Sequence, residues 1–182
     1  MHRFAQLSLV VLAAVTSLPM TLSGSASAAD ADKKFFKQAE GNWSGPGEII
    51  AGKYKGTKFV CNFTGSTPER KAGMTLDGGC RVGLFSQKMT ATVERSGAGY
   101  RGRFLDGAAG EGMDIVSGNV IGNNKGVFGI NRKKLKGAMI AKLDGDDAMV
   151  VTVSVKVEDR MIPVVGMNLK RVDETKVGSI AE

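Results

Sequence analysis

Residues 41–50 read GNWSGPGEII and mark the point where the character of the chain changes. They contain the only tryptophan, Trp43, and they begin a long series of short segments rich in β-branched and aromatic residues, separated by Gly, Asn and Asp. Such a series is typical of an all-β protein. The first strand is predicted at about 43–51, and Arg171, near the far end of the chain, is its expected partner.

Alternation of apolar and polar residues continues through the rest of the chain. It is clearest from Met149 to Val157, which follows an Asp144-Gly145 hairpin signal. At Phe85 the apolar parity shifts by one residue, which predicts a bulge or a tight corner. Evenly spaced strands with abundant glycine favour a single antiparallel up-and-down β-barrel of 8–10 strands with a short N-terminal helix. A two-sheet sandwich is the structural alternative.

The N-terminal segment has the pattern of a targeting sequence. His2 and Arg3 precede an apolar run, and Ala26-Ser27-Ala28 ends a stretch of small residues. This order predicts a Sec-type signal peptide over 1–28 that is cleaved after Ala28, with an uncleaved membrane anchor as the alternative. The apolar run is too short for a spanning helix. The mature protein is therefore expected to be periplasmic or secreted, soluble, and without a transmembrane segment.

The predicted domain organisation has three further parts. Residues 29–40 form a short helix or leader, because Phe35, Phe36 and Ala39 recur at helical spacing and Asp32 could cap the helix. Residues 41–173 form the barrel. Residues 174–182 are polar and are predicted to be a flexible tail.

Two cysteines, Cys61 and Cys80, remain after the predicted cleavage. In an oxidising compartment an isolated pair is most simply a disulfide, with two free thiols as the alternative. Both fall on the apolar parity of neighbouring predicted strands. The chain-entropy account gives such a bridge about 3 kcal/mol.

The amino-acid composition excludes several kinds of catalytic and metal-binding site in the mature protein. The only histidine, His2, lies within the predicted signal peptide. Ser-His-Asp and Cys-His catalysis are thereby excluded, as are HExxH zinc sites and His-ligated haem or copper. We therefore predict that the protein is not an enzyme and needs no cofactor or metal. A hydrolase using Asp106, Glu111 and Asp114 as paired carboxylates is the formal alternative.

The formal net charge is +7. A positive balance favours anionic surfaces, but nucleic acid is not an expected partner for an exported protein. The densest basic run comprises Arg132, Lys133, Lys134 and Lys136, at a predicted hairpin end. It could contact an anionic envelope component, or it could be an ordinary solvated turn.

The two ends of the barrel sequence resemble the calycin superfamily. Gly41-Asn42-Trp43 is similar to the G-x-W that opens the first strand of lipocalins and related barrels. The resemblance implies that Arg171, on the apolar parity of the last strand, packs over the Trp43 ring as a cation–π pair. Secreted protease inhibitors with calycin-like barrels also carry a disulfide between early strands, and Cys61 and Cys80 look similar.

The functional prediction follows from this fold. We expect an exported barrel that binds a small apolar or amphipathic ligand, with a filled core as the alternative. Gly102 and Gly137 are expected to supply the small inward residues that a cavity needs. The alternative function is a cell-envelope structural or interaction protein, with a protein, protease or anionic glycan partner and no small ligand. The candidate ligand-binding residues are Trp43, Phe59, Phe104 and Arg171.

Overall fold

The computed structural model describes residues 24–105 and 112–172. In these ranges the chain forms one helix and ten strands. Their bounds are α1 Gly24–Ala39, β1 Gly41–Ile49, β2 Lys58–Ser66, β3 Gly73–Val82, β4 Phe85–Ser96, β5 Gly99–Leu105, β6 Met113–Ile121, β7 Lys125–Arg132, β8 Leu135–Asp144, β9 Ala148–Val157 and β10 Arg160–Arg171.

The ten strands close into an antiparallel up-and-down barrel, as predicted. Each strand pairs with its neighbours in sequence, and β1 pairs with β10 to complete the circle. Trp43 lies directly opposite Arg171 in that closing ladder. Since consecutive strands alternate in direction, one barrel end carries the start of β1, and the other carries its end at Ile49. We call these the closed end and the mouth.

Helix α1 covers the closed end. Phe35, Phe36 and Ala39 recur at helical spacing and are buried against the barrel interior. The helix begins at Gly24, inside the predicted signal peptide and earlier than the expected residue 29. The proposed capping role of Asp32 is wrong, because Asp32 lies within the helix and its carboxylate bonds to barrel side chains.

The parity shift at Phe85 is a hairpin corner. Strand β3 ends at Val82, β4 begins at Phe85, and Val82 and Phe85 form the last pair of the ladder. Gly83 takes the left-handed conformation (φ 57°) that a tight turn requires. In the sequence, Leu84 shares the parity of Cys80 and Val82, which predicts a third strand over about 73–84 with Leu84 on its apolar face. That prediction is wrong for Leu84, which lies on the turn and is 98% exposed.

The predicted disulfide between Cys61 and Cys80 is present. The two residues are directly paired across β2 and β3, with their Cα atoms 4.0 Å apart. Both are buried on the inward face of the barrel wall. Their sulfur atoms contact the thioether sulfurs of Met167 and Met89 at 3.8 and 3.5 Å. The bridge therefore ties the β2–β3 hairpin from inside the barrel.

Candidate ligand-binding cavity

The barrel encloses a cavity of about 560 Å³. It exists because inward positions alternate with outward ones along every strand, and ten strands enclose more space than these side chains fill. Its wall is almost wholly apolar. Among residues 24–105 and 112–172, the polar side chains that line it are those of Ser86 and Gln87, both near the mouth.

Helix α1 forms the floor of the cavity. Phe35, Phe36 and Ala39 line it from the closed end. The Phe36 ring contacts Phe35 edge-on at 5.2 Å and Tyr100 at 5.3 Å between ring centroids. Edge-on and tilted ring pairs at these distances are favourable aromatic contacts. The floor is thus a packed apolar surface.

Phenylalanine and methionine are the commonest residues of the cavity lining. Six of the seven methionines that the structure describes line it, namely Met74, Met89, Met113, Met139, Met149 and Met167. Methionine is unbranched and polarisable, so a wall made of it adapts to ligands of different outline. Phenylalanine and methionine side chains are the lining that the sequence predicts for a cavity, although the four candidate residues named above include no methionine.

The four predicted ligand residues fall into two groups. Phe59 and Phe104 line the cavity wall. Trp43 and Arg171 are absent from its lining and lie at the closed end, beside α1. Gly102 and Gly137 also lie outside the lining. A Cβ atom on either would clash with a carbonyl oxygen of the adjacent strand, so these glycines permit close strand approach.

The expected cation–π contact between Arg171 and Trp43 is present, with the guanidinium carbon 4.4 Å from the ring centroid. Arg171 also donates hydrogen bonds to the backbone carbonyls of Gln38 (2.6 Å), Glu40 (2.5 Å) and Asp146 (2.7 Å). The Trp43 indole N–H donates to the Ala39 carbonyl at 2.9 Å. The pair therefore satisfies the carbonyls at the C-terminus of α1, where a cation is also favoured by the helix dipole.

A second polar contact secures α1 near its middle. The Asp32 carboxylate accepts hydrogen bonds from Arg95 and from the Tyr100 hydroxyl, the latter at 2.7 Å. Asp32 is 7% exposed, and these hydrogen bonds supply the partners that a buried polar group needs. Burial, and then the hydrogen bond to Asp32, raises the pKa of the Tyr100 hydroxyl far above its ordinary value.

Glu40 completes the link between α1 and the closed end. Its carboxylate accepts hydrogen bonds from the Thr67 hydroxyl at 2.6 Å and from the Lys37 ammonium at 2.9 Å. These bonds lower the pKa of the Glu40 carboxyl, the Thr67 bond having the larger effect. The closed end is thus joined to the helix by ionic, hydrogen-bonded and aromatic contacts together.

The predicted basic run lies at the mouth. Arg132 ends β7, Lys133 and Lys134 form the turn, and Lys136 lies near the start of β8.

Of the three carboxylates considered for hydrolysis, Asp106 and Glu111 lie outside the described residues. Asp114 is exposed on β6, where it pairs with Arg103 at 3.7 Å. Among the residues that the structure describes, no helix has the length and apolar character needed to cross a bilayer.

Comparisons with known proteins define the class of this chain at the level of fold. It is similar to the crystal structure of Rv2717c from M. tuberculosis, with a TM-score of 0.57 and 12% sequence identity. The match covers 78% of this chain and 98% of the other. At this identity the similarity shows a shared barrel fold.

No protein family model matches the chain, and no curated protein matches it. The calycin resemblance therefore stays a prediction. The class that fold and cavity establish is a ten-stranded antiparallel barrel with one disulfide and a helical floor.

Proposed function

We propose that this protein binds a small apolar or amphipathic molecule inside the barrel. The observation that carries the proposal is the cavity of about 560 Å³ with an apolar wall. Its volume falls within the roughly 300–1,000 Å³ of small-molecule sites. Phe59 on β2 and Phe104 on β5 would contact the ligand from the barrel wall, and the floor residues Phe35 and Phe36 would limit its depth.

The energetics of an apolar cavity support an occupant. Each apolar side chain that faces unfilled space has no partner atoms on that side and loses dispersion contacts. Water would not fill it well, because a buried water needs several polar partners. A hydrocarbon or ring system would restore the missing dispersion contacts.

The distribution of polar groups suggests how a ligand would be oriented. The apolar part would lie towards α1, where the wall has no polar side chain, and any polar group would lie near Ser86 and Gln87 at the mouth. A hydroxyl, amide or carboxyl there could be solvated or hydrogen-bonded without being buried. This arrangement favours an amphipathic ligand that has a polar group at one end and an apolar body.

We further propose that the protein acts after export and without catalysis. The pattern of residues 1–28 supports export, and a disulfide is compatible with an oxidising compartment. The sequence supports the non-catalytic assignment through the position of its only histidine, His2.

The alternative is an envelope interaction protein that uses its outer surface and holds no small ligand. The basic run Arg132–Lys136 at the mouth favours it. The two functions differ in what the cavity contributes, since only the first depends on the inward face of the barrel.

A cavity-filling substitution tests the proposal. Ala91 lines the cavity midway along β4, opposite Leu76 and Phe104, and Ala91→Phe would occupy that space. A fluorescent fatty-acid probe is expected to bind the unaltered protein and to bind Ala91→Phe at least tenfold more weakly. Ala138→Phe, on the outward face of β8, is the matched control and should bind as the unaltered protein does. Equal binding by the unaltered protein and Ala91→Phe, or no binding at all, would contradict a cavity ligand.

A further inference from the structure

The exposed apolar side chains of the described residues are concentrated at the mouth. Large apolar residues exposed there come from all five of its strand connections and the strand ends beside them. They are Ile50, Tyr54, Val82, Leu84, Phe85, Leu105, Leu135, Val157 and Met161. Among the described residues the closed end has two, Ile121 and Val172. We call the exposed apolar residues of the mouth the apolar rim; exposed apolar groups concentrated at one end of a barrel are candidates for an interaction site.

The β3–β4 hairpin carries the most exposed of these residues. Leu84 at its tip is 98% exposed and Phe85 is 84% exposed. Phe85 and Val82 also line the cavity, so the apolar rim is continuous with the apolar interior. A molecule leaving the cavity beside this hairpin would pass from one apolar surface to another.

Basic and acidic residues are also distributed unequally between the mouth and the closed end. The described mouth segments (48–58, 81–88, 103–105, 112–114, 131–136 and 155–162) contain twelve Lys and Arg and four Asp and Glu. The described closed-end segments (30–44, 64–75, 92–100, 119–125, 142–149 and 169–172) contain ten and eight. The mouth is therefore basic, whereas the closed end is close to neutral.

Apolar side chains surrounded by Lys and Arg are the combination that binds an anionic lipid surface. The apolar groups enter the boundary between headgroups and acyl chains, and the cations stay at the headgroups. We propose that the mouth docks on an anionic lipid bilayer, with Leu84 and Phe85 inserted into it. This deepens the proposed function by making the bilayer the source or destination of the cavity ligand, but docking itself can be measured without any ligand.

Vesicle sedimentation tests the docking. Vesicles of phosphatidylglycerol and phosphatidylcholine in equal parts are expected to sediment the protein, whereas pure phosphatidylcholine vesicles should sediment at least tenfold less. Since each Lys or Arg near an anionic surface contributes roughly a factor of five, binding should also weaken as salt is added. Equal binding to both vesicle types, or binding to neither, would overturn the proposal.

Paired variants locate the docking surface. Leu84→Ser with Phe85→Ser should reduce binding to the anionic vesicles at least tenfold, and Ile121→Ser at the closed end is its control. Lys134→Glu with Lys136→Glu should have a similar effect. Lys33→Glu with Lys34→Glu, exposed on α1, changes the charge equally and should bind as the unaltered protein does. Trp43 emission confirms that each variant is folded.

Two outcomes would assign the mouth to something else. If the hairpin variant sediments like the unaltered protein, the rim does not dock on lipid. If instead it changes the mass measured by light scattering, from a dimer to a monomer, while no form sediments with vesicles, the rim joins two copies of this chain. The Ala91→Phe variant separates this proposal from the preceding one, because it should lose probe binding and still sediment with anionic vesicles.

Discussion

The two ends of this barrel use the same kinds of residue in opposite ways. At the closed end, Phe36 is 2% exposed and Trp43 is 1% exposed. At the mouth, Phe85 is 84% exposed, and α1 lies at the opposite end of the barrel. The comparison teaches that aromatic and basic residues are packed into the fold at the closed end, whereas at the mouth residues of the same kinds are exposed on its surface.

Helix α1 is the cause of the difference. Its apolar face covers the barrel end. The backbone carbonyls at its C-terminal end accept hydrogen bonds from Arg171. The Asp32 carboxylate accepts hydrogen bonds from Arg95 and Tyr100. A substitution at the closed end therefore breaks several contacts together. A substitution at the mouth removes a side chain that contacts mainly solvent.

The largest expected effect comes from removing a phenylalanine ring at each end. Phe36→Ala should lower the free energy of unfolding by about 3–5 kcal/mol, because the ring is buried among aromatic neighbours. Phe85→Ala should change it by less than about 0.5 kcal/mol. Urea denaturation measures both. Comparable losses at the two positions would mean that the ends are equally packed.

A pair of conservative arginine substitutions makes the same comparison with polar contacts. Arg171→Lys should cost about 2 kcal/mol, because an ammonium cannot donate to the carbonyls of Gln38, Glu40 and Asp146 in a fixed fork. Arg160→Lys, exposed at the mouth, should cost less than about 0.5 kcal/mol. If Arg171→Lys unfolds at the same urea concentration as Arg160→Lys, the hydrogen bonds of Arg171 do not stabilise the closed barrel.

The smallest expected effect concerns pH. The protein has two tyrosines, buried Tyr100 and exposed Tyr54, so Tyr54→Phe isolates the Tyr100 titration. Because the pKa of Tyr100 is raised on folding, the folded state holds its proton more tightly than the unfolded state does. Its contribution to stability is fully present below the unfolded value, about 10, and is lost as pH rises above it.

Phenolate absorbance gives the test. Tyr54→Phe should show no ionisation near pH 10 while it remains folded, and a tyrosine titrating near 10 once urea unfolds it. Adding Tyr100→Phe should make the alkaline loss of stability less steep. A folded Tyr54→Phe protein that titrates near 10 would show that Tyr100 is not buried against Asp32.

Much of the barrel could be predicted from the sequence, because its cause is local. Alternation along β9 assigns inward and outward faces without any knowledge of neighbouring strands. Cys61 and Cys80 could be paired for the same reason, since both occupy inward positions of adjacent strands. The contact between Arg171 and Trp43 was implied by the calycin resemblance, and the structure contains it.

The features that could not be predicted depend on the closed structure. Asp32 resembles a helix cap in sequence, but its bonds are to Arg95 and Tyr100, 63 and 68 residues away. Leu84 continues the inward parity of β3, although the turn at Gly83 takes it to the surface. Parity also shows which residues face inward, but whether they fill the interior depends on strand number and tilt.

A native mass spectrum of the protein purified from its own host tests the central claim most directly. We predict extra mass on the intact protein that leaves on denaturation, and no extra mass on Ala91→Phe expressed in the same host. A bare mass for the unaltered protein would contradict the claim that the cavity holds a ligand, as would the same extra mass on Ala91→Phe.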